Sequence, residues 1–404
     1  MNPIVIAIPV FFVMIGLEYL LSLRQGRDVY RFGDAITNLS CGVGDQSTAV
    51  FSGLVRFGAY SFVWHYLRIV ELEGMAEWIA AFFLYDMSYY WWHRFSHEVN
   101  IGWATHVVHH QSQDYNLAVA LRQSGTGFLT NIPFYMPMAL LGIDPFVFGV
   151  TASISLLYQF WIHTELIDKL GPFEWVMNTP SHHRVHHAIN PSYLDKNYAA
   201  ILIIWDRMFG SFIVETEAPV YGTVKPLDSY DPVWAQLWYF VLLYRDWRDA
   251  SDPMDRWRVL YMAPGFRPAN LEPYPEPVEI VPLDQRKYDP DVSSGLAGYV
   301  MLQFPPAAAG ILWMLMEEKT ASYPVLFVAM SLILWATWAW SGLFERRPHA
   351  LWHELARIVG TTAAMAGWLA SADALIAVVM WAVLSVTWLL TQAAWLSNAP
   401  SEAA

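Results

Sequence analysis

Apolar residues run along this chain in stretches of about 20, the length an α-helix needs to cross a bilayer. Ile4 to Leu23 is the first, interrupted only by Glu18. No basic run precedes it and no small-residue cleavage site follows, so it reads as a membrane helix rather than a secretory signal peptide. Further apolar stretches cover about 50–67 and 78–92. Phe128 to Leu141 and Phe146 to Trp161 flank Gly142–Ile143–Asp144–Pro145, a turn signal, and predict a helical hairpin. From His163 to about Ser294 the pattern turns polar, and 12 of the 23 Lys and Arg fall there. Within it, prolines recur from Pro264 to Pro290, which predicts an extended surface segment. Four apolar stretches close the chain, at about 299–316, 323–344, 358–371 and 373–391.

Composition agrees with a polytopic membrane protein. Of 404 residues, 55% are hydrophobic and 15% charged, against roughly 45–50% and about 25% in soluble domains. The mean hydropathy is +0.29. A net charge of −13 without a basic stripe argues against a nucleic-acid partner. The single cysteine, Cys41, excludes an internal disulfide, a CxxC pair and a multi-cysteine metal site. Alternating the spans places segments 24–34, 93–126, 163–298 and 345–357 on one side, with 20 of the 23 basic residues. The positive-inside rule makes that side cytoplasmic.

Ten of the 13 histidines lie between His93 and His187, all on that side. They form His93-x-x-x-His97, His106-x-x-His109-His110, a lone His163, and His182-His183-x-x-His186-His187. Residues three and four apart share a helix face, so each box should aim two or three imidazoles one way. Imidazole is a good ligand for Fe, Zn, Cu and Ni. Eight or nine imidazoles exceed a tetrahedral zinc site and suit two metals with open positions. Neither Glu-x-x-His nor His-Glu-x-x-His occurs, which disfavours a carboxylate-bridged di-iron bundle and a zincin protease.

Blander readings stand beside these. His65, His349 and His353 read as interfacial residues, and Tyr85, Tyr89, Tyr90, Trp91 and Trp92 as an aromatic belt or a substrate wall. His182 is either a ligand or packs behind the ligands. Glu98 is either a solvated acid or a group that orients an imidazole. Asp86, inside an apolar stretch, is a functional candidate or a helix-packing hydrogen-bond acceptor. A membrane metal transporter or sensor is the rival of a different class. It should carry ionisable ligands near the bilayer midplane, whereas these histidines sit at span ends and in loops.

The spacing HxxxH, HxxHH, H, HxxHH resembles the fatty acid hydroxylase and sterol desaturase superfamily of membrane di-iron oxygenases. Flanking words such as Tyr90-Trp-Trp-His-Arg-Phe-Ser-His-Glu, Ala120-Leu-Arg-Gln-Ser, Gln159-Phe-Trp-Ile-His-Thr-Glu, Asn178-Thr-Pro-Ser-His-His and Ile203-Ile-Trp-Asp-Arg-Met-Phe-Gly are similar to its ether-lipid branch. The likeness covers residues 1–240 strongly, and the C-terminal spans only in hydropathy. It implies an all-α polytopic membrane bundle with a cytoplasmic histidine-rich metal-binding cap. The expected divisions are 1–77, N-terminal transmembrane helices; 78–298, the catalytic region; and 299–404, C-terminal transmembrane helices. The implied ligands of two Fe ions are His93, His97, His106, His109, His110, His163, His183, His186 and His187, with Glu98 as a catalytic candidate. The implied reaction uses O2 and an electron donor, tetrahydrobiopterin or a redox protein, on a membrane lipid. Oxygenation of the carbon beside an ether oxygen is the favoured outcome; sterol or fatty-acyl hydroxylation or desaturation is the alternative. The aromatic and Met residues of 78–92, 128–141 and 146–161 are expected to line a slot for the lipid tail.

Overall fold

In the computed structural model, which describes residues 3–278, 280–368 and 371–397, the chain is a helical bundle without a strand among the described residues. The helices are α1 (Pro3–Arg24), α2 (Phe32–Leu67), α3 (Gly74–Glu98), α4 (Asn100–Ala104), α5 (Phe128–Leu140) and α6 (Pro145–Trp161). They continue as α7 (Pro180–His186), α8 (Ile204–Phe209), α9 (Pro232–Asp249), α10 (Pro253–Tyr261), α11 (Ser294–Glu317), α12 (Tyr323–Phe344), α13 (Ala350–Ala366) and α14 (Ala372–Thr391). Four of them, α1, α11, α12 and α14, are long and apolar enough to cross a membrane. The remaining residues of the expected terminal regions, together with Glu279 of the proline-rich segment and 369–370 of the expected span 358–371, lie outside the described residues.

Several expected elements differ in extent; the stretch 358–371 is α13, which begins at Ala350 inside the expected loop 345–357 and ends at Ala366. The apolar stretch 50–67 is only the distal half of α2, a 36-residue helix beginning inside the expected loop 24–34. Its proximal half carries the buried polar residues Asp34, Thr37, Asn38, Ser40 and Ser47. Hydropathy misses this half because tertiary partners satisfy its polar groups: Asp34 accepts from Ser112 Oγ at 2.6 Å and from Asn38 Nδ2 at 2.8 Å. The stretch 78–92 extends in α3 to Glu98, so His93 and His97 ride the end of the helix itself. The expected hairpin is present as α5 and α6. Asp144 caps α6 by accepting from Phe146 N at 2.7 Å, with Pro145 in the first turn. Gly142 turns the chain at φ +80°, where a Cβ would meet Val70 O at 2.1 Å.

Several polar connections are tied to one another and to helix ends. Glu18 on α1 accepts from Tyr30 and Thr164 hydroxyls and from Leu117 N at 2.8 Å. Glu345, after α12, accepts from Ser229 Oγ at 3.0 Å. Trp388 Nε1 of α14 donates to Gly295 O of α11 at 3.0 Å. Helix α2 is the wall between two cores. Ile36, Val43 and Val50 pack with α11–α14, while Tyr60 packs with α3, α5 and α6.

Candidate metal centre

The histidines gather in two groups. His93, His97, His106, His110 and His186 form one, and His109, His163, His183 and His187 the other, all buried. The boxes do not each face one way, as helical spacing suggested. His106 and His110 join the first group while His109 turns to the second; His183 and His187 join the second while His186 turns to the first. The second box is the cause for its part: it lies on a 3-10 turn, Val107–His110, with His106 in the turn before it, not on an α-helix. The third box sits at the end of the seven-residue α7. Both boxes thus straddle the gap, and His110 and His187 stack across it with centroids 4.3 Å apart.

Ring orientation is set from outside. His93 Nδ1 lies 2.6 Å from Tyr198 O, His109 Nδ1 3.0 Å from Arg122 O, His163 Nδ1 2.7 Å from Gln159 O and His186 Nδ1 3.0 Å from Lys196 O. A carbonyl only accepts, so each Nδ1 carries the proton and each Nε2 presents a lone pair. For His93, His109 and His163 that lone pair faces a neighbouring imidazole. The His93–His106 and His163–His109 pairs are 2.9 and 3.2 Å apart between Nε2 atoms, and His183 lies 3.0 Å from His163. In the His109–His163 pair both Nε2 atoms are acceptors, and lone pairs facing at this distance repel unless a cation sits between them. Two nitrogens at about 2.1 Å from one metal and at right angles are about 3.0 Å apart, so the donor set fits a metal in each group. Burial first, and then neighbouring imidazoles or a nearby cation, holds the rings neutral. His109 is pushed down to about 4 and His186 to about 3.

Buried polar residues fix those carbonyls. Asp206 accepts from Tyr198 N and Ala199 N, both at 2.8 Å, and from Ser211 Oγ at 2.7 Å. Asp86 accepts from Ile201 N and Leu202 N at 3.0 Å and from Trp205 Nε1 at 2.9 Å, so it clamps the same loop as a packing acceptor. Arg122 donates to Val108 O at 2.7 Å, Asn38 Oδ1 at 3.0 Å and Gln111 Oε1 at 2.9 Å, locking the 3-10 turn to α2. Spacing does not single out Arg122 or Asp206; each lies within a word that carried the family likeness.

Other candidates lie outside the groups. His182 packs its ring on Phe212 at 5.3 Å. Glu98 accepts from Arg94 Nε at 2.9 Å and from Tyr198 OH at 3.3 Å; the carboxylate nearer His97 Nδ1 is that of Asp195, at 3.9 Å. His65, His349 and His353 are exposed. Tyr90 is buried and Trp91 exposed, while Tyr89 and Trp92 face the centre.

A cavity of about 1650 Å³ reaches His106, His109 and His163. Tyr85, Tyr135 and Phe148 of the expected slot line it, but so do α1, α2 and α11, through Ile8, Arg56 and Leu315. None of the nine grouped histidines belongs to a candidate span, whereas a transporter carries its ligands on its spans.

A helical membrane scaffold carrying an imidazole-lined centre at the end of an apolar cavity defines the class of membrane lipid hydroxylases, and the fatty acid hydroxylase family model matches residues 78–211. Alkylglycerol monooxygenase of Xenopus tropicalis is 38% identical over 343 residues, 84% of this chain and 77% of that protein. That of Danio rerio is 38% identical over 87% of this chain and 80% of its own length. The human enzyme is 41% identical over 65% of this chain and 59% of its own length. The chain belongs to the alkylglycerol monooxygenase family. It is an integral membrane protein, and its family implies iron and O2. No solved structure matches significantly.

Proposed function

We propose that the protein is an ether-lipid monooxygenase that holds two irons, one in each histidine group, on the cytoplasmic side of the membrane. It oxygenates the alkyl carbon beside the ether oxygen, and the hemiacetal so formed separates into a fatty aldehyde and a glycerol derivative. The observation that carries this reading is the pair of adjacent imidazole groups, with facing Nε2 atoms, at the end of an apolar cavity. The metals supply O2 activation when bound. The chain's own residues do the rest. His93, His97, His106, His110 and His186 hold one metal, and His109, His163, His183 and His187 the other. The cavity walls exclude water and orient the chain, so the position of the bound lipid decides which carbon reacts. Glu98 acts through Tyr198 and Arg94, steadying the loop whose carbonyl orients His93. The electron donor is tetrahydrobiopterin, and the catalytic region spans 78–298, closed off by helices on either side.

The test feeds a chain-labelled 1-O-alkylglycerol to membranes from an overexpressing host, with and without O2 and tetrahydrobiopterin. Labelled aldehyde is expected only when both are present. A hydroxylated sterol or acyl product, with no aldehyde from any ether lipid, would move the protein to another activity of the superfamily. Aldehyde formation with a reduced redox protein but not with the pterin would replace the donor alone.

A further inference from the structure

We propose that Arg56 is an anchor for a phosphate-bearing lipid headgroup inside the cavity, a proposal that rests on reading this cavity as the ether-lipid site. Arg56 lines the same cavity as His106, His109 and His163, and its Nε is buried without a hydrogen-bond partner. The acid it feels is Asp45, also on the wall, and the two make no ion pair. Arg56 stands eleven residues before the end of α2 at Leu67, about 16 Å along the axis. A guanidinium on a cavity wall, with its Nε buried and unpartnered, is costly to leave unmatched and suits an anionic partner.

The lining is mixed, with apolar side chains on every helix and Glu318 and Lys319 beside the end of α11. Helices α1 and α11 present Ile8, Phe12, Ile311 and Leu315, a wall for an alkyl tail. Among apolar neighbours such as Val50 and Phe57, α2, α3 and α5 add the polar groups Arg56, Asp45, Tyr85 and Tyr135. Tyr85 is eight residues before His93 on α3, about 12 Å along that helix, and it feels the Arg56 charge. A lipid bent at the histidine end lays its tail along Ile8, Phe12, Ile311 and Leu315 and its headgroup toward Arg56, with the ether linkage between. A guanidinium offers a planar fork of N–H donors that matches phosphate oxygens two at a time. An uncharged glycerol headgroup would make only neutral-acceptor hydrogen bonds to it, weaker than those of a phosphate. Arg56 therefore favours phosphate-bearing ether lipids over uncharged ones.

The test measures binding of hexadecyl phosphate, hexadecanol and inorganic phosphate to the full-length protein in lipid nanodiscs, by displacement of a fluorescent lipid. None of the three contains an ether bond, so the result is independent of turnover. Wild type should bind hexadecyl phosphate at least about tenfold more tightly than hexadecanol, the size expected for hydrogen bonds to a charged group. Arg56→Gln should bring that ratio close to one, and Arg56→Lys should keep it within about threefold of wild type. A wild-type ratio near one, or a ratio unmoved by Arg56→Gln, overturns the proposal. So does displacement by inorganic phosphate as strong as by the alkyl phosphate, which would assign the site to the free ion. If Arg56→Gln does not fold, the wild-type ratio and the Lys variant still decide. An intact ratio in a protein that makes no aldehyde from ether lipids would sink the proposed reaction and leave the anchor.

Discussion

Two regions of this molecule bury polar side chains, and they do so in opposite ways. Between α3 and α7, imidazole nitrogens turn toward one another at 2.9–3.2 Å, with their outer nitrogens engaged by carbonyls. Among α11, α13 and α14, the groups pair off. Tyr299 OH and Arg357 both donate to Glu354, at 2.5 and 2.6 Å, Arg357 also donates to Gln303 Oε1 at 2.9 Å, and Gln303 donates to Ser385 Oγ at 2.7 Å. The second network is closed, with donors meeting acceptors, and needs nothing added. In the first, His109 and His163 turn acceptor to acceptor, an arrangement that a cation would complete. Burial of polar groups is therefore no signature of a site by itself; the donor–acceptor balance distinguishes them.

The largest effect should come from the open set. His109→Ala or His183→Ala removes a donor that rigid neighbours cannot replace. Metal content measured by mass spectrometry should fall by about half, and ether-lipid cleavage by at least about 100-fold, while His65→Ala, at an exposed position, should leave both close to wild type. Retention of metal and turnover in the two buried variants would erase the contrast.

The closed network should respond in stability instead. Glu354→Ala strands the buried Arg357 guanidinium and should cost about 3–5 kcal/mol, whereas changing Glu354 and Arg357 together to Leu and Met should cost far less. Thermal unfolding in detergent reads both, and metal content should not change in the folded fraction. Loss of metal in Glu354→Ala protein that remains folded would show the two regions to be coupled.

A smaller effect probes the frame around the open set. Asp206→Asn weakens the grip on Tyr198 N and Ala199 N, and so on the carbonyl that orients His93. Metal affinity measured by chelator competition should drop about 10- to 100-fold with the helical content unchanged. An unaltered affinity would mean that the loop holds its place through Asp86 alone.

The identity of the clustered histidines was legible in the sequence, since their offsets and density do not arise from packing needs alone. So were the hairpin around Gly142 and the apolar helices α1, α11, α12 and α14, because hydropathy and turn residues are local properties. Several features were not legible. The proximal half of α2 looks like a loop because Asp34, Asn38 and Ser47 break its hydropathy, and only contacts with Ser112 and Arg122 make it helical and buried. The division of each HxxHH box between two groups depends on where the turn at Val107–His110 and the end of α7 come to rest. A cavity walled by α1, α2 and α11 joins residues some 300 positions apart. Local spacing decides which side chains share a face; which faces meet, and whether a buried charge such as Arg56 finds a partner there, is decided only when distant helices pack.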